Sequence, residues 1–218
     1  MLNINTCFCR TMKLPTASFF SALAVLGAII FISSCSRTDR FAGEWMGTPS
    51  RIMGIPGASD ATSTVSIDFA PTSDVRNGGN VFMTATIDVS QAVTGSEFSL
   101  DSPYQVDIAA TASIRGRYVA EDNDDDDILL HFDPSTLQVN IDPAGVTFSE
   151  NILTGLQRPA LDSLTTKTVD AWRVLVTSAI RDEFYKYQKI EDIKVHHGDM
   201  MSCEVADRDC TFRRIAPN

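Results

Sequence analysis

Cationic side chains are in short supply: 18 Lys and Arg stand against 28 Asp and Glu, giving a formal net charge of −10 over 218 residues. Binding to a nucleic-acid backbone is driven by Lys and Arg neutralising phosphates, so nucleic acid is not an expected partner. No G-x-S-x-G nucleophile elbow occurs, and no glycine-rich loop that could cradle a phosphate. No cofactor is expected. Internal repeats and a Pro/Gly/Ser-rich linker are also missing, so the body of the chain reads as one domain. What is present is a 44% hydrophobic composition. That is enough for a packed core and too apolar for a disordered chain.

Residues 1–34 contain no Asp or Glu, and only Arg10 and Lys13 carry positive charge. Phe19 to Ile32 is a nearly unbroken apolar run. It is shorter than the ~20 residues of a membrane span and ends in small residues, as a secretory signal does. Ile32-Ser33-Ser34-Cys35 resembles a bacterial lipobox. The resemblance implies a diacylglyceryl group on the Cys35 thiol, cleavage before Cys35, and acylation (palmitate or a similar chain) of the new amine. Several acyl chains anchor stably where one does not. The expected layout is a removed signal over 1–34, a lipidated Cys35 with a short tether over 35–40, and one domain over 41–218. Translation could also start at Met12. Loss of Arg10 and Lys13 takes the net charge from −10 to −12. Ser36 after the lipidated cysteine implies, by the same resemblance, the outer membrane of a cell envelope, with the face left open.

Processing leaves Cys203 and Cys210 as the remaining thiols. A chain reversal at Ala206-Asp207 would set Cys203 opposite Cys210, close enough for a disulfide where the pair is of the non-hydrogen-bonded kind. Outside the inner membrane a disulfide can persist. The alternatives are two buried free thiols or a metal pair with His196 and His197, although that spacing matches no structural zinc pattern.

From residue 60 to 150 apolar and polar residues alternate. The clearest case is Tyr104 to Tyr118, where the even positions are apolar or Gly116 and the odd ones are polar apart from Ala109, the pattern of an antiparallel strand with one wet face. Turn chemistry at Ile55-Pro56-Gly57, Asn77-Gly78-Gly79, Asp133-Pro134-Ser135 and Asp142-Pro143-Ala144-Gly145 is expected to separate the strands. The period then shifts to 3.6. Over about 163–187, Leu164, Trp172, Leu175, Val176, Ala179, Ile180 and Phe184 form one apolar stripe. Strand signals resume at Ile193. The expected fold is mainly β: an antiparallel meander closing into a barrel or half-barrel, with one long amphipathic helix packed on it.

Phe41-Ala42-Gly43-Glu44-Trp45 opens the first strand, and Thr211-Phe212-Arg213-Arg214 closes the last. A Gly-x-Trp at the first strand with an Arg on the last resembles the lipocalin-like domains of bacterial envelope lipoproteins. The resemblance implies that Gly43 and Trp45 help close one end of the barrel and that Arg213 or Arg214 lies across the Trp ring. Read from the residues alone, Trp45 is equally a plain core aromatic. The chain departs from the family in having about three strand signals after the helix where lipocalins have one.

Two constellations could carry chemistry. Asp122, Asp124 and Asp126 have the alternate spacing of calcium ligands, but the sixth loop position is Asp127 where glycine is expected. His131 with nearby carboxylates could serve a hydrolase or isomerase in the mouth of the sheet. The expectation favoured over both is a lipid-anchored, non-enzymatic module that binds a small apolar ligand or a protein partner, or serves structurally.

Overall fold

The computed structural model describes residues 40–52, 55–75, 77–93, 103–121 and 124–215. The expected signal over 1–34, the lipidated Cys35 and most of the tether lie outside them. Among the described residues no helix is long and apolar enough to cross a membrane.

The chain is a nine-stranded antiparallel meander that closes on itself. The strands are β1 (Gly43–Gly47), β2 (Ser50–Arg51), β3 (Asp60–Pro71), β4 (Gly78–Val93), β5 (Tyr104–Glu121), β6 (Asp124–Phe148), β7 (Lys189–His196), β8 (Met200–Glu204) and β9 (Asp209–Arg214). Helices α1 (Glu150–Gly155) and α2 (Arg158–Tyr185) lie between β6 and β7, and one 3₁₀ turn (Lys186–Gln188) leads from α2 into β7. The ring closes because β1 pairs with β9 on one edge and with β3 on the other.

Strand length divides the sheet into two regions. β1, β8 and β9 are short, so the complete ring is short too. β3 to β6 run on beyond it as a curved half-sheet. Among the described residues β6 pairs in register with β7 only at Ile128–Ile190 and Leu129–Lys189. Beyond that contact α2 lies against β6. It buries Leu164, Val169, Trp172, Val176, Ala179, Ile180 and Phe184, much as the 3.6-residue stripe predicts. Leu175 is only half-buried. The inward face of β3–β5 carries Ser63, Ala85, Ala110 and Ala112 among its larger residues, small side chains that leave room for a helix. Period-2 alternation holds along β5, where even positions from Tyr104 to Ile114 are buried and most odd ones exposed.

Two expectations about boundaries are corrected. The motifs at Asp133-Pro134-Ser135 and Asp142-Pro143-Ala144-Gly145 do not separate strands; both lie inside β6. Their turn chemistry is nevertheless real. The Asp133 carboxylate accepts from the Ser135 N–H at 3.0 Å and the Ser135 hydroxyl at 2.7 Å, and Asp142 accepts from the Ala144 N–H at 2.9 Å. Each produces a local expansion, so that Ser113 to Arg115 on β5 faces Gln138 to Asp133 on β6, and Ala110 to Ile108 faces Ile141 to Val146. After each bulge the chain keeps its direction. The helix also begins earlier than 163, because Pro159 sits in its first turn, where a missing N–H costs nothing, and it ends at 185, where the chain tightens into the 3₁₀ turn.

Candidate functional site

One end of the ring is shut by a latch. Trp45 is wholly buried, and its indole N–H donates to the Phe41 carbonyl at 2.7 Å. In register it stands opposite Arg214 on β9 and Ile67 on β3. The Arg214 guanidinium lies 4.2 Å from the Trp45 ring centroid. It also donates to three backbone carbonyls: Nη1 to Ala42 at 2.6 Å, Nε to Gly198 at 2.7 Å and Nη2 to Arg40 at 3.3 Å. Of the two arginines, Arg214 therefore holds this place. Arg213 points to the opposite face, paired in register with Met46 and Met200. Gly43 has φ +106°, and a Cβ there would stand 3.0 Å from Arg214 Nη1. Both the backbone and the approach of the arginine require glycine. Phe41, Phe69 and Tyr118 complete the plug, with Phe69 at 5.2 Å centroid distance from each of the others.

The ring's other end opens at the β8–β9 hairpin. Ala206 and Asp207 have φ of +50° and +59°, while Val205 and Arg208 exchange both backbone hydrogen bonds, at 2.9 and 3.2 Å. This is the two-residue I′ turn that the Ala206-Asp207 reversal predicts. Between this turn, β1 and the end of α2 lies a cavity of about 250 Å³, its walls including Val65, Glu183, Lys186, Tyr187, Cys210 and Phe212. Glu183 is buried and paired with Lys186. Burial, then Cys210, Glu183 and Cys203, push the Tyr187 hydroxyl above its ordinary range. Burial and then Cys210 push the Cys203 thiol up to about 12. Burial, followed by Asp209, raises Cys210. These shifts all favour neutral groups, so the mouth offers no activated thiolate. Glu183 and Tyr187 were not singled out in the sequence. Their signal was the α2 stripe itself, since 176, 180, 183 and 187 fall on one helical face.

No protein-family profile matches this chain, and no curated protein aligns with it.

Cys203 and Cys210 are opposed in register as expected, but both are free thiols. Hydrogen bonding alternates along an antiparallel pair. The Val205–Arg208 pair is hydrogen-bonded, and so is the Arg214 N–H to the Asp199 carbonyl at 2.8 Å. Counting from either end makes Cys203–Cys210 a hydrogen-bonded pair, the kind with the wider separation. The condition under which the disulfide was expected is not met.

The acidic run is dispersed among cations. Asp126 pairs with Arg40, while Glu121, Asp127 and Glu191 surround Lys189 at 3.5, 3.4 and 2.7 Å. Asp127 also accepts the Asp192 N–H at 3.0 Å. Asp122 and the side chain of Asp124 lie outside the described residues. Among those described, no three His, Cys, Asp or Glu residues converge as metal ligands. His131 is exposed on the outer face of β6, opposite Arg117, with no carboxylate in hydrogen-bond reach among the described residues. His196 instead shares a hydrogen bond with Ser202 at 2.9 Å on the β7–β8 hairpin.

Proposed function

We propose that this chain is a lipid-anchored module of a bacterial envelope, related to the lipocalin-like domains it resembles, and that it acts through its outer surface without catalysing a reaction. Cys35 is the anchor, held by its acyl chains. The Gly43, Trp45 and Arg214 latch supports the lipocalin-like reading, because the residues quoted for that resemblance meet at one end of the ring. The observation that carries the surface-acting role is the filled interior. Trp45, Ile67, Phe69, Met83, Ile114, Tyr118 and Phe212 are each at most 1% exposed. The cavity at the mouth, about 250 Å³, falls below the ~300–1,000 Å³ usual for a ligand pocket. A partner therefore meets the outside of the sheet.

Two measurements test this. Intact mass of the detergent-extracted protein is expected to show a chain beginning at Cys35 and carrying diacylglyceryl and amide-linked acyl groups. An unmodified N-terminus elsewhere would sink the anchor. Titration with N-phenylnaphthylamine, an apolar fluorescent probe, is expected to give no saturable signal. A saturable signal abolished by Val65→Trp would return the function to small-ligand binding.

A further inference from the structure

The outer face of the half-sheet carries a band with an unusual composition for so acidic a chain. Across β4, β5 and β6 the register aligns Thr86, Thr111 and Asn140 in one row and Thr84, Ser113 and Gln138 in the other outward row. Thr64 and Ser66 extend these rows onto β3. All eight side chains are neutral hydrogen-bonding groups. None of them hydrogen-bonds to another side chain or backbone group among the described residues, and each is at least partly exposed. Charge resumes in the next outward row on either side, with Asp68, Arg115 and Asp133 beyond one, where the exposed Phe82 lies under the Arg115 guanidinium, and Asp88 beyond the other.

Two further observations single out this band. A shallow groove of about 680 Å³ runs across the strands here. The two polar rows are its walls, and the backbone of Ala85, Ala112 and Val139, whose side chains turn inward, is its floor. The two bulges of β6 also bracket the segment that supplies Gln138 and Asn140. Bulges re-aim side chains and occur often beside functional sites.

The geometry points to a binding site for a neutral, extended β-linked glycan chain lying across the strands in this groove. The groove presents hydroxyl and amide donors and acceptors repeating at the ~4.8 Å strand spacing, comparable with one pyranose unit of an extended glycan. The side chains of its two walls include no charge to attract an ionic ligand and no large apolar group for an acyl chain. This inference names the partner class for the surface-acting module proposed above, and it is read out independently of lipid attachment.

Calorimetry of the full-length protein in detergent, with a β-linked N-acetylglucosamine hexamer, a β-linked glucose hexamer and an anionic galacturonate hexamer, tests it. Saturable binding of a neutral hexamer is expected, with the anionic one weaker. Thr86→Val combined with Thr111→Val removes two hydroxyls at nearly constant volume on a strand surface that accepts valine. Loss of two net hydrogen bonds weakens binding about tenfold or more. Thr62→Val, outside the groove, is expected to leave affinity unchanged. Absence of binding by both neutral hexamers, equal binding of the anionic hexamer, or unchanged affinity in the double variant would each overturn the inference. None of these results alters the mass of the anchor or the apolar-probe titration, so the two readings fail separately.

Discussion

The latched end of the ring and the open half-sheet are held by different forces. At the latch a few directional contacts converge on Trp45 and Arg214, and one guanidinium ties two carbonyls of the lead-in to β1, Arg40 and Ala42, to the Gly198 carbonyl of the β7–β8 turn. In the half-sheet a 28-residue helix covers a broad apolar face, and no single contact dominates. Short strands bury less area each than long ones, so at the closing point polar geometry adds to a compact plug of buried aromatics. The long strands need no such device.

Trp45→Ala is the largest blow to the latch, with an expected loss of about 3–5 kcal/mol and a melting temperature lower by roughly 10 °C or more. Ile180→Ala strikes the half-sheet with a cost of about 2–4 kcal/mol. Hydrogen exchange separates the two. The helix variant should expose α2 amides while those of β1 and β9 stay protected, and the reverse pattern would erase the distinction. Arg214→Ala should cost about 2 kcal/mol and loosen β1 and β9 first, because it removes charged donors from partly buried carbonyls as well as the ring contact. Gly43→Ala should cost about 1–2 kcal/mol through its positive φ and the crowded arginine. A neutral result in thermal melts would show that the latch yields.

The smallest effect is chemical. At pH 8 iodoacetamide should modify Cys210 well before the buried Cys203, whose thiol stands near 12. Because that value is raised on folding, the associated stability is complete below the unfolded thiol's ~8.5 and declines as pH climbs from there toward 12. Non-reducing mass analysis showing a Cys203–Cys210 bridge would overrule the hydrogen-bonded pairing deduced from the hairpin.

Much of the fold was legible because it is local. Alternation along β5 named its inward residues, the stripe on α2 named most of its buried face, and Ala206-Asp207 placed the last hairpin. The errors share a cause. Asp133-Pro134-Ser135 makes a genuine Asx turn, yet whether the chain reverses or continues after it depends on β5 alongside. The cysteine register was readable, but whether the pair is hydrogen-bonded is set by the phase of the whole hairpin. Arg213 and Arg214 are neighbours in sequence on opposite faces of β9, and only the pairing with β1 selected one of them.

The sequence by itself determined which side chains turn inward, since the periods of strand and helix are intrinsic to the backbone. Only the tertiary structure decided that β1 joins both β3 and β9 and that neutral rows from β4, β5 and β6 lie abreast in one groove. Non-local register is fixed by the summed packing of strands far apart in the chain, and no short window of residues contains that sum.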